Sequence, residues 1–246
     1  MGMGIYTLIF SYCAILFAGI IRGYSGFGFS MIAVVSLSLV MPPAEIVPVI
    51  LLLEVVASLW LLPRVWRQIH WRSLSWLSLG VLIGTPAGVY LLTNISPNAM
   101  RAAIAVVVMV LVVLLWCGFS LKTIPGRGKT VITGLVSGVL NGSATIGGPP
   151  VILFYLSTPT GAAVSRASLI ALFFGTDILA FFICFSQGLV TSKTGMMCAS
   201  SLIPLLLGLG VGNHFFSRGN TEAFRKKVLI LLMALAVIVL VRVIIQ

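Results

Sequence analysis

The sequence predicts an all-α, polytopic transmembrane bundle of two inverted-topology repeats, each beginning with a short broken or re-entrant helical hairpin. Three observations carry that prediction. Sixty per cent of the 246 residues are hydrophobic and only 8% are charged. With a mean hydropathy of +1.20, a water-soluble fold has too few polar side chains to cover its surface. The basic residues behind the formal net charge of +11 lie in short loops between apolar runs, a pattern that orients membrane helices; no nucleic acid partner is expected. Finally, Gly19-Ile-Ile-Arg-Gly-Tyr-Ser-Gly-Phe-Gly-Phe-Ser30 returns as Gly138-Val-Leu-Asn-Gly-Ser-Ala-Thr-Ile-Gly-Gly-Pro149. Laying Gly19 on Gly138 also lays Arg22 on Asn141, Gly23 on Gly142 and Gly28 on Gly147. Chance likeness of glycine-rich apolar segments is the competing explanation.

A hydrocarbon core of about 30 Å takes roughly 20 apolar residues per helix. By that ruler the chain has eight sizeable segments and two short ones at the glycine breaks. Ile5 to Arg22 and Phe27 to Val40 meet at the first break, followed by Ile46 to Leu62, Leu74 to Leu92 and Ala102 to Leu121. Val131 to Leu140 and Pro150 to Ser157 flank the second break, followed by Ala167 to Phe185, Gly195 to Gly212 and Val228 to Ile245. In this reading each repeat has five pieces and the first two are short. The first run follows no basic region and has no clear small-residue cleavage site, so it reads as a retained helix. Residues 1–121 form the first repeat, 122–130 a cytoplasmic linker and 131–246 the second repeat.

Orientation follows from arginine and lysine, which are retained on the cytoplasmic side. Arg64, Arg67 and Arg72 mark one inner loop, Lys122, Arg127 and Lys129 another, and Arg218, Arg225, Lys226 and Lys227 a third. The loops Thr93 to Met100 and Gln187 to Thr194 carry only Lys193, with Arg101 at the edge, and belong outside. For the later loops to obey the rule, Val131 to Ser157 must enter from the inside and return. The first hairpin must do the same from the outside, which makes the halves antiparallel and puts both termini outside. Inverted repeats are a common build for secondary transporters, with the site where the repeats meet. Trp66, Trp71 and Trp76 read as interfacial anchors. His70 and His214, in or beside basic loops, read as solvated, and the Thr158-Pro-Thr-Gly turn closes the second hairpin.

The breaks carry the candidate chemistry. Gly23, Gly26 and Gly28 let the first helix open, and Pro149 and Pro150 open the second by removing two amide donors. Freed backbone at membrane depth is tolerated only where it is buried in protein or lines a watery cavity. A helix restarting there turns its amides and positive dipole end to that cavity, which favours an anion. Tyr24, Ser25, Ser30, Ser143 and Thr145 add hydroxyls, Asn141 an amide, and Gly142, Gly147 and Gly148 close backbone approach. Arg22 adds fixed charge that wants a partner at this depth. A transported anion is the favoured partner, and snorkelling to the outer surface is the alternative. For Ser30 and Ser137 alone, helix packing is the simpler role. Of the four acids, Glu222 lies in a basic loop and Glu45 in a first helical turn, both structural positions. Glu54 and Asp177 sit mid-segment in corresponding helices. Each is a candidate proton relay, or else an ion pair with Arg22 or Arg166, or a hydrogen bond between helices. Cys13, Cys117, Cys184 and Cys198 show no paired spacing, so neither a metal, a cofactor nor a disulfide framework is indicated.

Gly-x-x-x-Gly-x-x-Gly-x-Gly near the N-terminus, its degenerate copy with Gly147-Gly148-Pro149-Pro150 after the middle loop, and a length near 250 together resemble the TauE/SafE sulfite exporter family, also called TSUP. The resemblance spans nearly the whole chain. It implies a bacterial or archaeal inner-membrane transporter with inverted repeats, often treated as a dimer, moving sulfite, sulfonates or related small organic anions. The motif positions carried over are Gly19, Gly23, Gly26 and Gly28, then Gly138, Gly142, Gly147, Gly148 and Pro149. Phe27 and Phe29 replace small residues in the first copy, and Ala144 and Ile146 stand in the second, which leaves the substrate open. The expected function is secondary transport of a small anion, coupled to protons or driven by the membrane potential; a passive anion channel is the alternative. No Gly-x-x-x-x-Gly-Lys-Ser/Thr motif occurs to bind nucleotide. An intramembrane enzyme built on Ser25 lacks an embedded histidine to act as its base.

Overall fold

The computed structural model describes residues 5–25, 28–117, 126–156, 161–216 and 221–245. Among them run ten α-helices: α1 (Ile5–Ser25), α2 (Phe29–Ser38), α3 (Pro43–Val65), α4 (Trp71–Asn94), α5 (Pro97–Trp116), α6 (Arg127–Ala144), α7 (Gly148–Leu156), α8 (Ala162–Ser186), α9 (Ser192–Phe216) and α10 (Thr221–Ile245). A single 3-10 turn, Trp66–Gln68, joins α3 to α4. The described residues contain no strand. Six of these helices are long and apolar enough to cross a bilayer, so the chain is a multi-pass, all-helical membrane protein.

Helix ends follow local chemistry more closely than hydropathy does. α3 begins at Pro43, where a fixed φ suits the first helical position and the missing amide is not needed, so it starts ahead of the apolar run at Ile46. α5 likewise starts at Pro97 and is described to Trp116; Leu121 lies outside the described residues. The expectation that the first two pieces of each half are short needs correction. Only α2, with 10 residues, and α7, with 9, are short. α1 has 21 residues and α6 has 18, because helix continues through Tyr24 and Ser25 in one half and through Gly142 to Ala144 in the other.

α2 and the middle of α3 are buried among the other helices. Outward faces of α1, α4, α9 and α10 expose residues such as Tyr6, Ile83, Leu207 and Ile245. A helix apolar on all sides belongs in lipid. Two long parallel contacts hold the bundle together, and both depend on glycine. Along α1 and α9, Gly19 meets Leu205 and Gly208, and Gly23 meets Leu209 and Asn213. Along α4 and α6, Gly80 meets Val131 and Gly134, and Gly88 meets Val139 and Gly142. Small residues let membrane helices approach to backbone contact, which replaces the hydrophobic drive that lipid cannot supply. Each contact joins a helix from one half to a helix from the other.

At one end of the bundle, by the α3–α4 turn, Trp66 and Trp71 stack edge to face at 5.0 Å, Arg64 lies 4.4 Å over Trp60, and Arg127 lies 5.5 Å over Trp76. At the opposite end Arg101 Nε donates to the Ser38 carbonyl at 2.8 Å, and Arg242 donates to the Leu39 carbonyl. Lys193 pairs there with Glu45 at 2.6 Å. Lys122, Arg218 and residues 158–160 of the hairpin turn lie outside the described residues, as do the side chains of Glu222, Arg225, Lys226 and Lys227.

Candidate functional site

Both breaks open onto one cavity. It holds about 20 Å³ and is lined by Arg22, Gly28, Ser30, Met31, Glu54, Asn141, Thr145, Gly148, Pro149, Ile152, Phe173 and Asp177. Residues from the first turns of α2 and α7 are among these, so two helix N-termini border the same space. At the first break Gly28 takes φ 91° before α2 begins, a left-handed conformation that glycine adopts at no steric cost. At the second, Thr145 takes φ 58° and ψ 25°. For a β-branched residue that is a genuine outlier, and strain of this kind collects at functional sites. It is sustained by the Ile146 amide reaching back to the Leu140 carbonyl at 3.1 Å and by Ser137 Oγ donating to the Gly147 carbonyl at 2.7 Å. Pro149 and Pro150 then supply the fixed φ from which α7 restarts.

Four polar side chains meet across the cavity in two pairs. Arg22 is 1% exposed; its guanidinium pairs with Glu54 Oε2 at 2.5 Å and donates to Ser58 Oγ at 2.9 Å. Asn141 Nδ2 donates to Asp177 Oδ1 at 2.7 Å, while Asn141 Oδ1 accepts the Gly147 amide at 3.4 Å. Asp177 Oδ2 has no hydrogen-bond partner among the described residues. The cluster thus sets two carboxyl groups against one guanidinium in a space large enough for about one water molecule.

Of the residues singled out in the sequence, Arg22, Gly28, Ser30, Glu54, Asn141, Thr145, Gly148, Pro149 and Asp177 come together here. Others are turned elsewhere. A Cβ at Gly23 would stand 2.4 Å from the Leu209 carbonyl oxygen, and one at Gly142 2.4 Å from that of Thr85, so both glycines make helix contacts. Tyr24 and Ser143 are buried off the cavity wall, the latter with Oγ on the Leu140 carbonyl at 3.4 Å. Gly147 joins the break through its backbone without lining the space. Gly26 lies outside the described residues, as do Phe27 and the Ser25 side chain. Arg22 does not snorkel: the partner it wants is inside the protein, as Glu54. The two acids have different contacts, Glu54 an ion pair with Arg22 and Asp177 a hydrogen bond from Asn141 on another helix.

Sequence reasoning missed Ser58, Phe173, Met31 and Ile152. The register held the signal for two of them. Laying Gly19 on Gly138 lays Glu54 on Phe173 and Ser58 on Asp177, so both halves send residues one helical turn apart to the same place.

A family model described as sulfite exporter TauE/SafE matches residues 12–239. The chain is also similar to a protein named probable sulfite/organosulfonate exporter TauE from Cupriavidus necator, 27% identical over 218 residues, covering 84% of each chain. No solved structure matches.

Proposed function

This chain belongs to the sulfite exporter TauE/SafE family, whose members are transporters and not enzymes, and we propose that it exports a small anion such as sulfite, a sulfonate or a related organic anion across the inner membrane as a secondary transporter. The observation that carries this is the convergence of Arg22, Glu54, Asn141 and Asp177 on one cavity bordered by two helix N-termini. The α2 end, which keeps its amides, and a guanidinium are built to hold negative charge.

The cavity of about 20 Å³ is too small for the anion, so loading requires the helices at the breaks to part. The arriving anion then competes with Glu54 for Arg22. A proton on Glu54 removes the competitor, so anion and proton load together and the occupied site carries less net charge through the low-dielectric interior. Asp177, with an oxygen unengaged, is a second acceptor of the same kind. The outward gradient of the anion drives export on this scheme.

The same reading takes residues 1–121 and 131–246 as inverted repeats joined by 122–130, with both termini outside. Supporting it, the register that lays Gly19 on Gly138 also lays Pro43, the start of α3, on Ala162, the start of α8. The α1 with α9 contact is matched by that of α6 with α4. A homodimer belongs to the proposal on the family resemblance alone.

The test is flux from proteoliposomes loaded with sulfite, a short alkanesulfonate, thiosulfate or a carboxylate. Saturable flux with counterflow is expected for at least one, raised by a proton gradient along its direction and made insensitive to pH by Glu54→Gln with Asp177→Asn. Flux without saturation or counterflow means a passive channel. Flux indifferent to pH in the parent removes the coupling.

A further inference from the structure

One polar network lies outside the cavity and is used by nothing above. His70 caps α4, with Nδ1 2.8 Å from Ser73 Oγ, and Ser73 Oγ is 2.9 Å from the Tyr155 hydroxyl near the end of α7. The His70 amide donates to Ser168 Oγ on α8 at 3.0 Å. Three helices distant in sequence are thereby joined. Tyr155 is 3% exposed and Ser168 is 0% exposed, Ser73 is half-buried and His70 is exposed, so the network runs from the protein surface into its buried interior.

Its position is the informative part. Ile152 on α7 and Phe173 on α8 line the cavity. Tyr155 lies about one turn further along α7, and Ser168 between one and two turns back along α8, both toward the α3–α4 end. The network therefore stands between the cavity and the end of the bundle that carries Arg64, Arg67 and Arg72. Among the described residues the other half shows no such seam at matching positions. There the register sets Ser36 against Tyr155 and Val49 against Ser168, and a cavity of about 210 Å³ lies at that end, lined by Glu45, Leu189, Thr191, Lys193, Thr194 and Met197.

We infer that Tyr155, Ser73, His70 and Ser168 form the gate that shuts the Arg22–Asp177 cavity from the α3–α4 end of the bundle. α7 is the moving part: it is short, begins at a break, and is tied to α4 at its far end through a phenol and a hydroxyl. Separating Tyr155 from Ser73 and from Ser168, which its hydroxyl also meets, frees that end of α7 to swing and opens a path past Ile152. As the gate of a substrate pathway, this assignment rests on the transport reading; as a barrier, it is testable without it.

The experiment uses the full chain with its four cysteines replaced by alanine and Ile152→Cys as the reporter, labelled by a water-soluble, membrane-impermeant thiol reagent. Tyr155→Phe keeps the ring and removes the bond; Ser73→Ala removes the same bond from the other side. Each should speed labelling about two- to tenfold, the range in which one net hydrogen bond acts. Ser200→Ala, toward the opposite mouth, should leave the rate unchanged. Equal rates in all variants overturn the gate, and so does equal acceleration by Ser200→Ala, which would mean general loosening. If Tyr155→Phe does not fold, Ser73→Ala decides alone. Faster labelling in a protein that moves no anion keeps the barrier and sinks the transport reading. Unchanged labelling in a protein that does move anions sinks the gate only.

Discussion

The two breaks share a backbone design and differ in what they hold. In the first, a fixed charge on α1 meets a carboxylate and a hydroxyl on α3, as Arg22, Glu54 and Ser58. In the second, a neutral amide on α6 meets a carboxyl on α8, as Asn141 and Asp177, and Phe173 occupies the place matching Glu54. The restarting helices differ in the same direction. The first turn of α2 keeps its amides, whereas α7 opens with Pro149 and Pro150, which have none. The backbone plan is alike while the chemistry differs: the first break sets a fixed positive charge against a buried carboxyl group, and the second sets a carboxyl group against a neutral amide beside an apolar wall.

The sharpest break of that comparison is to remove each half's head group. Arg22→Ala leaves Glu54 buried without its charge partner, and losing one member of a buried pair costs about 3–5 kcal/mol. Asn141→Ala leaves a carboxyl short of one hydrogen bond, at about 1–3 kcal/mol. Thermal unfolding in detergent should therefore rank Arg22→Ala well below Asn141→Ala. Arg22→Met with Glu54→Leu should recover most of the stability and none of the anion flux. Equal losses at the two positions would mean that the halves are not electrostatically different.

The comparison also explains what could be read in advance. Ten segments, the two breaks and the head residues Arg22 and Asn141 were legible because hydropathy and matched polar positions leave marks in one dimension. Which neighbours of a head residue share its cavity was not. Successive helical residues are rotated by about 100°, so Gly23 turns away from Arg22 toward α9, and Gly142 away from Asn141 toward α4. Glycine that opens a helix and glycine that packs one look alike until rotation is known. The pairing of Glu54 with Asp177 across corresponding helices was similarly too coarse: the register offsets them by one turn, and only a residue-by-residue match brings Ser58 and Phe173 into view.

If the scaffold is the part held in common, damage to it should be alike in both halves. Gly23→Ala and Gly142→Ala each drive a methyl to 2.4 Å from a carbonyl oxygen of the neighbouring helix. Backbone cannot rotate out of the way as a side chain can, and overpacking of this kind costs about 1–3 kcal/mol. The two variants should lose similar stability, whereas Gly210→Ala, with nothing within 4 Å of the added atom, should lose none. A large loss in only one half would show that the two glycine contacts are not equivalent supports.

The smallest effect bears on the strain confined to the second break. Thr145 is the one non-glycine residue with positive φ among the described residues, and the left-handed conformation costs an L-residue about 1–2 kcal/mol. Its register partner is Gly26, so Thr145→Gly imports the residue that the first half uses at the same position. Glycine carries its own entropic cost of about 0.5–1 kcal/mol, which offsets part of the relief. The net expectation is a gain of up to about 1 kcal/mol, read as a rise in unfolding temperature. Among the described residues Thr145 Oγ1 bonds only the adjacent Ala144 carbonyl, at 2.6 Å, so little hydrogen bonding is lost with it. A fall in unfolding temperature would mean that the hydroxyl holds the second break together.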